Sequence, residues 1–184
     1  MWVFSIDHIA KVVEALSRKY HTRDPSELCK ELGIRIRLKD LETELKAYYY
    51  CQSRIRNIVV NFRVSEIVRR ILMAHELGHD QLHNKIALAK GFQEVGLFNM
   101  TIPTEYEANV FAAELLIDDV ELLGLIKDEN SSFFGMAKEL YVPAGLLDFK
   151  FRILKRKGYS IEAPHIANGD FLKNDIDGCF DDEE

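Results

Sequence analysis

The sequence predicts an α+β fold: a small, mostly antiparallel sheet packed against a helical bundle. Three observations predict it. Strand-like segments, the first an apolar–polar alternation at 34–39, are confined to one stretch, residues 34–60, while apolar residues at helical spacing occupy both sides of it. A length of 184 residues allows one domain with a substantial core and is short for two, and an apolar content of 47% is ordinary for a globular chain. The expected organisation is a single domain over residues 1–160 and an acidic tail over 161–184.

The elements follow in order. Ile9, Val12, Val13, Leu16 and Tyr20 share one helical face, with Asp7 as the expected N-cap. A second, short helix runs from Asp24-Pro25 to Leu32, capped by Asp24, opened by Pro25 and stopped by Gly33. Ile34, Ile36 and Leu38 then alternate with Arg35, Arg37 and Lys39, as a half-buried strand requires. Residues 47–51 and 55–60 read as two further strands, joined by a polar turn at Gln52-Ser53-Arg54 into an antiparallel hairpin. From Ser65 the helical period returns, with Val68, Ile71, Leu72, His75, His79 and Leu82 along one face. Residues 84–103, which contain Gly91, Gly96 and Pro103, are expected to form a long connection. Helices are expected again at 104–117, 119–127, 132–141 and 143–157, the last closed by Gly158.

Composition excludes several classes of function. No apolar run approaches the roughly 20 residues that span a bilayer, and the N-terminus lacks the pattern of a signal peptide. Three cysteines without paired spacing (Cys29, Cys51 and Cys179) fit reduced thiols and a cytoplasmic setting. The net charge of -6 resides in the tail, where residues 162–184 carry eight acidic residues and one lysine. The remaining body is nearly neutral, which does not suit a protein built to bind nucleic acid. Residues 132–157, two helices meeting at Val142-Pro143 with Lys150, Arg152, Lys155, Arg156 and Lys157 on the second, invite a DNA-binding reading; cations favouring the C-terminal end of a surface helix account for them more simply.

The chemistry resides in His75-Glu76-Leu77-Gly78-His79, an uninterrupted HExxH inside a predicted helix. Two histidines four apart project from one helical face and can reach one metal ion, with the glutamate between them placed to act on a water held there. The histidines lie on the same face as the core residues, where a buried metal site belongs. A catalytic zinc needs three protein ligands and one open position. His83 is two turns from His75 and rotated from it by about 80°, too far to share an ion, and is expected to be structural. His8, His21 and His165 lack ligand spacing.

Carboxylates on the helix at 104–117 are better placed: Glu105, Glu107 and Glu114 lie beside the small residues Ala108, Ala112 and Ala113, which permit close packing. Thr104 followed by Glu107 also has the form of a capping box, so Glu107 is open to either role, with Glu105 the second choice as ligand. Gly78 is open to two readings as well, room for a substrate or room for a neighbouring helix.

The HExxH, followed about thirty residues later by Glu107-Ala108-Asn109-Val110-Phe111-Ala112-Ala113-Glu114-Leu115-Leu116, resembles the ImmA/IrrE family of zinc metallopeptidases, whose second helix reads E-A-x-x-F-A-x-x-L-L. The resemblance is most specific over residues 65–117, and Leu116-Ile117-Asp118-Asp119 departs from it by lacking the proline that often follows the paired leucines. It implies a zincin-like fold, Zn²⁺ held by His75, His79 and Glu107, and Glu76 as general base. It further implies an endopeptidase that cleaves a helix-turn-helix DNA-binding repressor, relieving repression in a mobile element, phage or stress response. The competing expectation is a non-catalytic, metal-containing regulator that acts by binding protein. Candidates for stabilising the oxyanion are Tyr106, Tyr141 and Asn109.

Overall fold

A computed structural model describes residues 4–41, 45–90, 103–128 and 131–161, with the backbone alone for 84–90. The acidic tail and most of the 84–103 connection lie outside the described residues. The element order is α1 (Ile6–Tyr20), α2 (Pro25–Glu31), β1 (Arg35–Lys39), β2 (Ala47–Gln52), β3 (Ile55–Asn61), α3 (Glu66–Lys90), α4 (Pro103–Leu116), α5 (Asp119–Lys127), α6 (Phe133–Glu139) and α7 (Ala144–Arg156). The α+β class is as expected.

The sheet order is β1-β3-β2, with β3 antiparallel to β2 and parallel to β1. The sheet is therefore mixed. The chain runs up β1, returns along β2 one strand-width away, and the hairpin fills the gap with β3. Asn57 through Val60 are buried at successive positions because the central strand is covered on both faces. The hairpin turn consists of two residues, Ser53 and Arg54, both with positive φ (52° and 65°), the sense of twist that a two-residue connection needs. Along β1 the predicted alternation fades. Ile34 is buried beneath α2 and its amide donates to the Cys29 carbonyl, whereas Leu38 at the far end is exposed.

Most helix ends follow their sequence signals. Asp24 caps α2 by accepting from the Glu27 amide, and Gly33 takes a left-handed φ of 68° behind it. The start of α1 and the end of α3 differ from expectation. The N-cap of α1 is Ser5, whose hydroxyl accepts from the His8 amide, and Asp7 falls inside the first turn, where its charge favours the helix N-terminus. α3 continues to Lys90 instead of ending near residue 83, since Ala87, Leu88, Ala89 and Lys90 are good helix formers and Gly91 is the first breaker.

α4 is the central helix. From Glu105 to Leu116 it is buried at every position except Tyr106, enclosed by α1, α3 and α7. At its far end a buried ion cluster ties it to α5 and α7. The Lys150 ammonium lies 2.9 Å from Glu114 and 2.6 Å from Asp119, and the Lys157 ammonium lies 2.7 Å and 2.8 Å from the same two carboxylates. Burial raises the Asp119 carboxyl, but the two ammonium groups outweigh it and hold the pKa below its ordinary value. Arg152 pairs with Asp148, and Arg156 donates to the Tyr106 hydroxyl. Of the cations that a DNA-binding reading would use, Lys150, Arg152, Arg156 and Lys157 are thus engaged by intramolecular partners.

The approach of α4 to α3 is set at Gly78. A Cβ there would lie 3.1 Å from the Ala108 Cα and 3.1 Å from the Phe111 Cβ, with both neighbours fully buried. The missing side chain makes room for a helix. Gly78→Val is expected to lower the unfolding free energy by about 2 kcal/mol, because neither the backbone at Ala108 nor the enclosed Phe111 ring can yield. Equilibrium denaturation by urea, followed by circular dichroism, checks this.

Candidate metal centre

Two pairs of residues with the same helical spacing face each other across the α3–α4 contact. His75 and His79 come from α3, and Glu105 and Asn109 come from α4. The Nε2 atoms of the two histidines are 3.1 Å apart. The Glu105 carboxylate straddles them, Oε2 lying 3.3 Å from His75 Nε2 and Oε1 lying 3.4 Å from His79 Nε2. All three residues are buried, and together they form a group able to hold a metal ion. A tetrahedral ion with bonds of about 2.0–2.1 Å has ligand atoms about 3.3–3.4 Å apart, close to what these side chains present.

The donor chemistry fits a cation as well as the spacing does. Asn109 Oδ1 lies 2.8 Å from His75 Nδ1, so Nδ1 carries the proton and the Nε2 lone pair faces the centre. Burial lowers the pKa of His79, favouring the neutral imidazole that binds metals. Burial also raises the Glu105 carboxyl, but the two imidazoles beside it, His75 and His79, outweigh burial and hold it well below the usual carboxylate range. Among the described residues, Glu105 Oε2 and Glu76 Oε1 are buried without a hydrogen-bond partner. Unpartnered buried carboxylate oxygens are costly in a low-dielectric interior unless a cation compensates them.

Glu76 projects from α3 beside β2. Its pKa is raised well above the ordinary value, first by burial and then by the Glu105 charge, with a hydrogen bond from the Tyr49 backbone opposing. The next turn of α3 is pinned to the hairpin. Asp80, fully buried, accepts from the Tyr49 hydroxyl at 2.8 Å and from Arg56 at 2.9 Å. The helix therefore has little freedom to rotate Glu76 relative to the strand.

Sequence reasoning expected Glu107 beside the histidine pair, and here the geometry corrects it. The Glu107 carboxylate is engaged elsewhere: Oε2 lies 2.7 Å from His83 Nε2, and Oε1 accepts from the Phe4 amide at 2.6 Å. Two residues along a helix is a rotation of about 200°, so Glu105 and Glu107 cannot face the same point. Glu105 and Asn109, four apart, can. That spacing, which matches the histidine spacing, was the available signal. The capping-box alternative for Glu107 also fails, since α4 begins at Pro103 and places Thr104 inside it.

The other singled-out residues are accounted for. His83 is buried and its Nδ1 lies 3.2 Å from His79 Nδ1, behind the donor set. Of the oxyanion candidates, Asn109 is held by His75, the Tyr106 hydroxyl turns to Arg156 on α7, and Tyr141 is half-exposed with its carbonyl bound by Arg70. Cys29 is buried, and burial followed by the charge of Asp80 pushes its thiol up to about 12, which makes it unreactive.

A donor set of this kind, offered by an HExxH helix to a helix crossing it, is the arrangement of metallopeptidases. Comparison with known sequences narrows the class. Residues 29–152 match the peptidase M78 family, described as the IrrE N-terminal-like domain, and the chain belongs to this ImmA/IrrE family. It is also similar to an uncharacterized immunity region protein 2 of Bacillus phage phi105, with 36% identity over 142 residues covering 77% of this chain and 88% of that protein. Among the described residues, no helix is long and apolar enough to cross a membrane.

If Asp80 anchors α3 as described, Tyr49→Phe removes one donor from a buried carboxylate. The expected cost is about 1–2 kcal/mol of folding stability, read from the denaturant midpoint at unchanged m-value.

Proposed function

We propose that the protein is a zinc-dependent endopeptidase, with His75, His79 and Glu105 as ligands and Glu76 as general base. The observation that carries this reading is the convergence of two imidazole Nε2 atoms and one carboxylate within 3.4 Å of one another, beside a second buried carboxylate with an unpartnered oxygen. Zinc bound there would lower the pKa of a water and polarise the substrate carbonyl.

The chain's own residues supply the rest. Asn109 orients the His75 ring, and Glu105 contributes the negative charge that offsets the ion. Glu76 takes a proton from the attacking water as the C–O bond forms, then gives it to the amide nitrogen as the C–N bond breaks. A cation among the three donors would bring the Glu76 pKa back down, which makes its carboxylate available as the base. No serine or cysteine nucleophile is required, in keeping with the inert Cys29.

The proposed substrate is a helix-turn-helix DNA-binding repressor in the cytoplasm, cleaved to relieve repression in a mobile element, phage or stress response. Support comes from membership of the ImmA/IrrE family and from the likeness to a protein of a phage immunity region.

Metal analysis and cleavage assays test the reading together. The purified protein is expected to carry one zinc, His75→Ala and Glu105→Ala to lose it, and Glu76→Gln to keep it while cleavage stops. Zinc lost from Glu107→Ala but retained in Glu105→Ala would show the donor set to be wrong. Continued turnover by Glu76→Gln would remove the proposed base and leave the metal site standing.

A further inference from the structure

Behind the donor set a continuous line of buried polar groups runs from His79 to the N-terminal segment. His79 Nδ1 lies 3.2 Å from His83 Nδ1, His83 Nε2 lies 2.7 Å from Glu107 Oε2, and Glu107 Oε1 accepts from the Phe4 amide at 2.6 Å. The Glu76 and zinc chemistry uses neither His83 nor Glu107, yet both are almost completely buried. Burying a carboxylate and an imidazole without a role is expensive.

The direction of every proton in this line follows from its far end. The Phe4 N–H can only donate, so Glu107 Oε1 accepts. Glu107 Oε2 faces the imidazole at 2.7 Å and accepts there as well, so His83 Nε2 carries the hydrogen. A neutral His83 then has its lone pair on Nδ1, which can only accept, so the hydrogen between the two imidazoles belongs to His79 Nδ1. That leaves the His79 Nε2 lone pair aimed at His75 Nε2 and Glu105. His75 reaches the same state by a shorter route, through Asn109.

We propose that Glu107 and His83 are positioning residues that fix the tautomer and ring orientation of His79, so that its Nε2 faces the metal. This rests on the zinc reading above. Glu107 is thereby reassigned: it acts on the metal through His83 and His79. A carboxylate is required at position 107, because two donors converge on it. Glutamine in its place could accept from only one of them and would set an N–H against the other.

The test combines metal affinity with a direct view of the proton. In the metal-free parent, nitrogen-15 NMR of the His79 ring is expected to show the Nδ1–H tautomer, and in Glu107→Gln and His83→Phe a mixture of both. Competition with a chromophoric chelator is expected to show one zinc site in both variants, weakened about 10–100-fold. The double variant is expected to be weakened no further than the worse single one, since a line broken once transmits nothing. An Nε2–H tautomer in the parent would overturn the proposal without need of any variant that folds. So would parent-like affinity in both variants, or complete loss of zinc from Glu107→Gln, which would make Glu107 a ligand. If the parent itself binds no zinc, the zinc reading falls. If only Glu105→Ala loses the metal and the two relay variants bind like the parent, the site stands and the relay falls.

Discussion

The distance between α3 and α4 at Gly78 governs what the rest of the molecule can do. With no side chain at that position, the α4 backbone at Ala108 comes into contact with α3, and the side chains on either side of the contact meet at hydrogen-bond range. His75 and His79 flank Gly78 on one helix; Glu105 and Asn109 flank Ala108 on the other. A separation larger by an ångström would leave the Glu105 carboxylate out of reach of one imidazole and Asn109 out of reach of the other ring nitrogen. Small residues on both helices thus make the polar site possible, although none of them takes part in its chemistry.

So close a packing buries many polar groups, and the fold answers each in kind. At one end of α4, Glu114 and Asp119 are matched by Lys150 and Lys157, two charges against two. Pairs of this kind add little net stability, because desolvation consumes most of their attraction, but leaving one member alone is strongly destabilising. They fix how α4, α5 and α7 meet. At the other end, Glu107 is matched by His83 and the Phe4 amide, and Asp80 by Tyr49 and Arg56. Glu76 and Glu105, the two acids beside the histidine pair, each retain a buried oxygen without a hydrogen-bond partner.

The elements were legible where the signal was local. Asp24-Pro25 with Gly33, the two-residue turn at Ser53-Arg54 and the periodicity from Ser65 each determine structure through residues a few positions apart, and each element stands where expected. The parallel pairing of β1 with β3 was not legible, because alternation says which face is buried and nothing of which neighbour a strand takes. The HExxH placed His75, Glu76 and His79 through the geometry of one helix. Which carboxylate joins the histidine pair depends on the rotation of α4 about its axis. A motif beginning at Glu107 does not report that rotation, and the Glu105/Asn109 spacing does. The partners of Glu107 lie 24 and 103 residues away, beyond anything periodicity can show.

The two carboxylates nearest the histidines illustrate how environment divides one residue type into two roles. Both are buried, and burial alone would raise both pKa values. Glu105 meets two imidazoles, which overcome that effect and hold its carboxyl low. Glu76 meets the negative charge of Glu105 and a single backbone N–H, so its carboxyl is driven in the opposite direction. One carboxyl is held low and the other is driven up, the division that the proposed metal ligand and the proposed general base require. The separation does not come from the HExxH string, which contains only one of the pair. It comes from α4 supplying the second acid on the side of the imidazoles, and hence from the same close approach at Gly78 that brings the two helices together.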